Sequence, residues 1–421
     1  MPRIMLEIVE QHAEEAAFLW LLRNEATHAP HYRLEQLAEL DERVDAHLDG
    51  LRIAGDEGWE IVRHQLEWRE PGEVFAAAHV ALQSQDRRRI VEVLDVATAS
   101  TELARGFVSA LGWFPYAVVQ PYVESLVTSQ APVARRIGIG AAGVHRRDLG
   151  SRLEQAVAHD QLTVRSRALK AAAELGRRDL LPYCREDLGA ELDEARYWSA
   201  WSTVLLGDRE ATKALWDIAD DGGPLSEPAC DLAARCARHG EARAWQRRLA
   251  TRRERGQLAI VAARALGDPA LVPWLLDVMT VDEFARPAAE AFSFITGVDL
   301  GAAKLSRKRP NRIAGGPTDD PHDENVAMDP DEDLPWPEPR AIIRWWSEHD
   351  AEFTPGVRYL AGRPIRLDAM REVLVWGTQR QRGAAALELV LLQPGEPLFE
   401  VRARGDEQRR ALWQRPGEAP E

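Results

Sequence analysis

At 421 residues the chain exceeds the ~250–300 residues that one ordinary core supports, so it either splits into domains or stacks repeats around a continuous elongated core. Leu, Ala, Glu and Arg dominate and aromatic residues make up only 7%, which favours helix over sheet. A net charge of −15 weighs against a nucleic-acid binder, and three cysteines (Cys184, Cys230, Cys236) without CxxC spacing weigh against a disulfide framework or zinc site and suit a reducing cytosol.

The first residues carry Glu7, Glu10, Glu14 and Glu15 where a secretory signal needs apolar or basic side chains. The apolar run Ala16–Leu22 is far short of the ~20 residues of a membrane helix, so a cytoplasmic protein without membrane insertion is expected. A helix around Glu7–Asn24 and a long amphipathic helix over 31–55 read as an N-terminal cap, residues 1–54. His12, Glu14 and Glu15 resemble a metal triplet, but on a helix only His12 and Glu15 share a face, so a cap helix is the better reading.

Residues 55–300 repeat. Small-rich apolar segments end at Gln83, Gly112, Gly143, Gly176, Gly207, Gly240, Gly267 and Gly297, spaced 29, 31, 33, 31, 33, 27 and 30 residues apart. Each interval holds two helices of ~12 residues with short turns, and a terminal Gly suits a left-handed C-cap. Amphipathic segments such as ATKALWDIAD, from Ala211, alternate with the Gly-ended ones, so each unit is a helix hairpin. The fold class is therefore all-α, an α-solenoid of HEAT-like helix hairpins with a small C-terminal helical module.

Eleven residues before the closing Gly, Arg165, Arg196 and Arg286 recur, each with an Asp a few residues upstream: Asp160, Asp193 and Asp282. This is similar to the Asp…Val-Arg pattern of HEAT repeats, which implies a structural ladder at helix starts. Trp198 and Trp201 lie three apart on one Gly-ended helix. They are the candidate partner-binding residues, as aromatic anchors are common interface hot spots; the alternative is that they fill the core.

After Gly297 the pattern stops. Residues 301–335 carry a basic run (Lys304, Arg307, Lys308, Arg309, Arg312) and then an acidic one from Asp319 to Asp333, read as a charged flexible linker. Residues 336–421 form the terminal module: a helix after Pro339, a turn with a short extended segment over 353–365, and two helices interrupted at Gly377. No P-loop, GxSxG, Rossmann fingerprint or His-Glu dipeptide occurs, so neither enzyme activity nor a cofactor or metal is expected.

The segments HAEEAAFLWLLR (12–23), LDERVDAHLDGLRIAG (40–55), FVSALGW (107–113), GDPALVPWLLDVM with EAFSFITGVDL (within 267–300) and RYLAGRP (358–364) resemble, over nearly the whole chain, a bacterial family of HEAT-like proteins often encoded beside type VI secretion clusters. The resemblance implies a protein-binding scaffold or adaptor, an accessory to the secretion apparatus whose partner is another protein, and it supplies no catalytic residue. The alternative is a solenoid enzyme or nucleic-acid binder, lyase-like or DNA-repair-like. A lyase should show a deep pocket, a repair solenoid a basic groove with aromatics.

Overall fold

The computed structural model describes residues 5–310, 313, 322, 329 and 331–413. The chain is all-α, and the described residues divide into two compact units. Unit 1 holds residues 5–28, 32–207 and 394–413; unit 2 holds 29–31 and 208–393.

Unit 1 opens with α1 (Leu6–Ala26), α2 (Leu34–Ala54) and α3 (Asp56–Gln65). Hairpins follow: α4 (Pro71–Ser84), α5 (Arg87–Ala97) with α6 (Thr101–Trp113), α7 (Tyr116–Val127) with α8 (Pro132–Val144), α9 (Ser151–Val157) with α10 (Leu162–Glu174), and α11 (Leu181–Glu186) with α12 (Asp193–Leu205). Helices α4, α6, α8, α10 and α12 stack in series as one layer, and the hairpin partners form the other. The stacked layer is rich in Ala and Gly because its backbones nearly touch. A Cβ added at Gly106 of α6 would lie 2.2 Å from the carbonyl oxygen of Pro71, at the start of α4. Polar groups between these helices are satisfied, as where Ser202 Oγ donates to the Leu169 carbonyl at 2.9 Å.

Unit 2 continues the alternation with α13 (Thr212–Asp221), α14 (Ser226–Cys236), α15 (His239–Ala250), α16 (Gly256–Leu266), α17 (Val272–Val278) and α18 (Asp282–Thr296). Here α14, α16 and α18 stack in series. The remainder comprises β1 (Ser306–Arg307) paired antiparallel with β2 (Trp336–Pro337), α19 (Pro339–His349), the hairpin β3 (Tyr359–Leu360) and β4 (Arg363–Pro364), α20 (Leu367–Trp376) and α21 (Gln379–Leu392). Ile342 of α19 is fully buried, with Trp345 and Trp346 beside it, against Phe292 of α18. The last described helix, α22 (Gly405–Trp413), returns to unit 1 and packs on α2.

The Gly rule at helix ends holds where the turn needs a left-handed residue: φ is +70° at Gly176, +107° at Gly207, +66° at Gly267 and +75° at Gly297. Elsewhere the expectation is corrected. Gly112 and Gly143 lie inside α6 and α8, and Gly240 lies inside α15. Helix α6 ends because Phe114 precedes Pro115 and turns extended, and after α8 the left-handed position falls to Arg146, φ 50°.

The candidate ladder arginines all sit in the first two turns of their helices and all bond, but not as one repeated pair. Arg165 forms a fork on Asp187 of the following hairpin (2.5 and 2.9 Å) and donates to the His159 carbonyl, while Asp160 acts on it through charge. Arg196 pairs with Asp193, three residues upstream, at 3.1 Å. Arg286 reaches Asp329 and the Asp331 carbonyl, both at 2.7 Å, and lies over the ring of Trp336. The segment read as a linker lies in good part outside the described residues. Its described portion holds buried Leu305, strand β1 and the Asp329 contact.

Candidate functional site

The stacked layer of unit 1 borders a cavity of about 310 Å³. Its walls come from α1 (Trp20, Arg23, Asn24), α6 (Arg105, Val108, Ser109), α8 (Val133, Arg136, Ile137, Gly140), α10 (Arg167, Lys170, Glu174) and the segment Glu400–Arg404. Arg105, Arg136 and Arg167 are 31 residues apart in sequence, and 31 further stands Trp198. The repeat length thus places one residue per hairpin at the same helical position, so the side chains line up across neighbouring helices.

Seven cations line this cavity against two carboxylates, in a chain of net charge −15. Their pairing is uneven. Arg167 is consumed by Glu174, both guanidinium nitrogens donating at 3.0 Å. Gly143 makes room for this pair, since a Cβ there would lie 2.4 Å from Arg167 Nη2 and 2.6 Å from Glu174 Oε2. Arg136 has one distant partner, Glu194 at 3.5 Å. Among the described residues Arg105 has no carboxylate partner and lies over the Trp20 ring, 5.9 Å from its centroid. Lys170 shares Glu174 at 4.0 Å and sits 4.1 Å from the centroid of Trp198.

Burial lowers the Lys170 ammonium to about 8, against the pull of Glu174. Burial pushes the other way on Glu174, but Arg167, Lys170 and Arg146 outweigh it and hold its carboxyl below the usual range. At pH 7 both groups therefore carry charge.

One rim of the cavity is the chain's own C-terminal segment, which the arginines grip as a peptide. Arg23 Nη1 and Nη2 donate to the Arg402 and Ala403 carbonyls at 2.7 and 2.8 Å, while its Nε is held by Asp41 at 2.7 Å. Arg146 donates to the Leu398 carbonyl and pairs with the Glu400 carboxylate at 3.2 Å. The Leu398 amide donates to the Glu174 carbonyl at 2.9 Å, and the Gly405 amide to Asp41 at 2.6 Å.

Of the sequence candidates, Trp198 is half-buried and edges this cation file through Lys170. Trp201 is only 7% exposed, with its ring against Trp198 at 78°. Trp201 is thus a packing residue, because its ring is buried against that of Trp198; the expectation of an exposed anchor is corrected for it. Sequence reasoning passed over Arg105, Arg136 and Arg167, although their 31-residue interval was the available signal, and it passed over Arg146 as well. His12 meets the ring of His47, nitrogen to nitrogen at 3.2 Å. Among the described residues no group of three His, Cys, Asp or Glu side chains is arranged to hold a metal, and no helix is long and apolar enough to cross a membrane. The three thiols are buried and free, and burial pushes Cys184 up to about 12.

Comparison with known proteins found no matching family model, no matching curated protein and no matching solved structure.

Proposed function

We propose that this chain is a cytoplasmic protein-binding scaffold of HEAT-like hairpins that takes its partner on the stacked helices of unit 1, and that it serves a type VI secretion system as an accessory. The secretion setting rests on the sequence resemblance alone. What supports binding of a polypeptide is the hold on the C-terminal segment: Arg23 and Arg146 capture three backbone carbonyls and one carboxylate of a non-helical stretch that turns at Val401–Ala403, beside cations that remain under-paired.

The test is affinity capture with the full chain beside an Arg105→Glu/Arg136→Glu variant, quantified by mass spectrometry. Secretion-cluster proteins enriched on the wild type and lost on the variant are expected. Equal recovery on both would remove this face as the binding site.

A second reading has an observation in its favour: cations interleaved with Trp20, Trp113 and Trp198 also suit a nucleic-acid binder. Its mark would be steep loss of oligonucleotide affinity with rising salt.

A further inference from the structure

We infer that the file Arg105–Arg136–Lys170 is a site for an extended acidic peptide segment carrying a carboxylate at about every third residue. This rests on the reading of unit 1 as a polypeptide-binding surface and gives that surface its ligand chemistry.

The spacing follows from helix geometry. Successive stacked helices lie ~8–10 Å apart, so the cations they present are separated by roughly that distance. An extended polyproline-II segment rises ~3.1 Å per residue with three residues per turn, so every third side chain emerges on one face ~9.3 Å further on. The two periods match. A carboxylate on each third residue meets one cation per hairpin without strain in either chain.

The choice of a carboxylate ligand has a precedent inside the molecule, where Glu400 of the C-terminal segment is taken by Arg146 at 3.2 Å with the neighbouring backbone held by arginine. Arg105 and Arg136 offer the same guanidinium chemistry: among the described residues Arg105 has no carboxylate partner, and Arg136 is met at 3.5 Å by Glu194, whose side chain is half-exposed. Arg167 is excluded from the ligand set, since Glu174 already uses both of its terminal nitrogens. Lys170 takes its place one turn along the same helix. The tryptophans bracket the file: Trp20 lies under Arg105 and Trp198 under Lys170, each holding a cation over an aromatic face, which orients it while leaving its outer donors open. A polyphosphate is the poorer ligand, because a chain of net charge −15 repels a long polyanion beyond the cavity, whereas a short acidic segment meets only the cations.

The experiment is fluorescence polarisation with the full chain and four labelled probes. These are a 12-residue peptide with Glu at every third position among Pro, Ala and Ser; the same composition with its Glu residues clustered at one end; the Lys-for-Glu peptide; and a ten-nucleotide oligothymidine. The periodic peptide should bind with micromolar affinity at low salt, at least fivefold tighter than the clustered one, and the Lys peptide should not bind. Arg105→Glu/Arg136→Glu should weaken the periodic peptide at least tenfold, and Arg105→Ala/Arg136→Ala should weaken it less. Circular dichroism melts of both variants establish that they fold; should the charge reversal not fold, the alanine pair carries the test. Equal binding of clustered and periodic peptides overturns the spacing. Tighter binding of oligothymidine, lost in the same variants, overturns the ligand class. No peptide binding at 100 µM protein overturns the inference while leaving the scaffold reading to the capture experiment.

Discussion

Units 1 and 2 build their stacked layers from the same kind of Gly- and Ala-rich helix, yet they treat the charged residues on those helices differently. In unit 2 the charges are closed into a network: Glu388 of α21, 1% exposed, accepts from Arg235 at 2.9 Å and from Arg358 at 2.5 Å. Arg235 also holds Asp231, and Glu290 is shared by Arg264 and Arg380 at 3.1 and 2.7 Å. The hairpin of β3 and β4 then seals the helix ends, with Tyr359 donating to the Gly267 carbonyl and Arg358 to those of Ala265 and Leu266. In unit 1 the returning segment Pro394–Gly405 touches only part of the layer and leaves Arg105 and Arg136 facing a cavity. The difference teaches that a repeated cation is locked into the fold where the chain returns a carboxylate to it, and faces a cavity where it does not.

The largest effect expected from breaking this contrast is at Glu388. Glu388→Ala leaves the buried Arg235 with Asp231 as its remaining carboxylate and the half-buried Arg358 with carbonyl partners alone, and losing one partner of a buried ion pair costs about 3–5 kcal/mol. Urea denaturation should show that loss; a change below ~1 kcal/mol would mean the network is solvated and the two layers are alike. Trp201→Ala belongs with it in size, since removing a buried Trp costs about 3–5 kcal/mol. Trp198→Ala, at a half-buried ring, should lower the melting temperature less and reduce binding of the periodic acidic peptide. If Trp201→Ala instead kept full stability and lost the peptide, the burial argument would fail.

A smaller effect concerns pH. His79 is buried in unit 1, stacked on Phe114 at 4.6 Å, and burial, helped by the charge of Arg404, lowers its imidazole to about 3. Its folded pKa lies below the ~6.5 of an unfolded histidine. Above about 6.5 both states are neutral there and the full contribution is present. As the pH falls from about 6.5 towards 3, the unfolded chain binds a proton that the folded one refuses, and stability declines. His79→Phe should flatten that part of a stability–pH curve; an unchanged slope between pH 6 and 4 would point to carboxylates instead. The smallest effect is at Arg105: Arg105→Ala, with no ion pair to lose, should shift stability by no more than ~0.5 kcal/mol in the same denaturation assay. A loss above 1 kcal/mol would make it a structural residue like those of unit 2.

Much of the architecture was legible in the sequence because it is local. Hairpin spacing, the amphipathic period, the caps at Gly176, Gly207, Gly267 and Gly297, and the helices on either side of Gly377 all follow from patterns within ~30 residues. Failures at Gly112 and Gly143 arose because their glycines serve packing rather than turning. Even the arginine file was written at a fixed interval, 105, 136 and 167, one position for each hairpin.

What those arginines do was decided by tertiary structure. Arg165 and Arg286 share a column in sequence, yet one finds Asp187 in the next hairpin and the other Asp329, beyond the last of them. Arg146 reads as a turn residue until Leu398 and Glu400 arrive from 250 residues downstream. The physical reason is that a repeat fixes where side chains point through local backbone geometry, which the sequence encodes in each unit. Whether a charge is neutralised depends on which distant segment returns to that surface, and an acidic residue far along the chain carries no local mark of the cation it will meet.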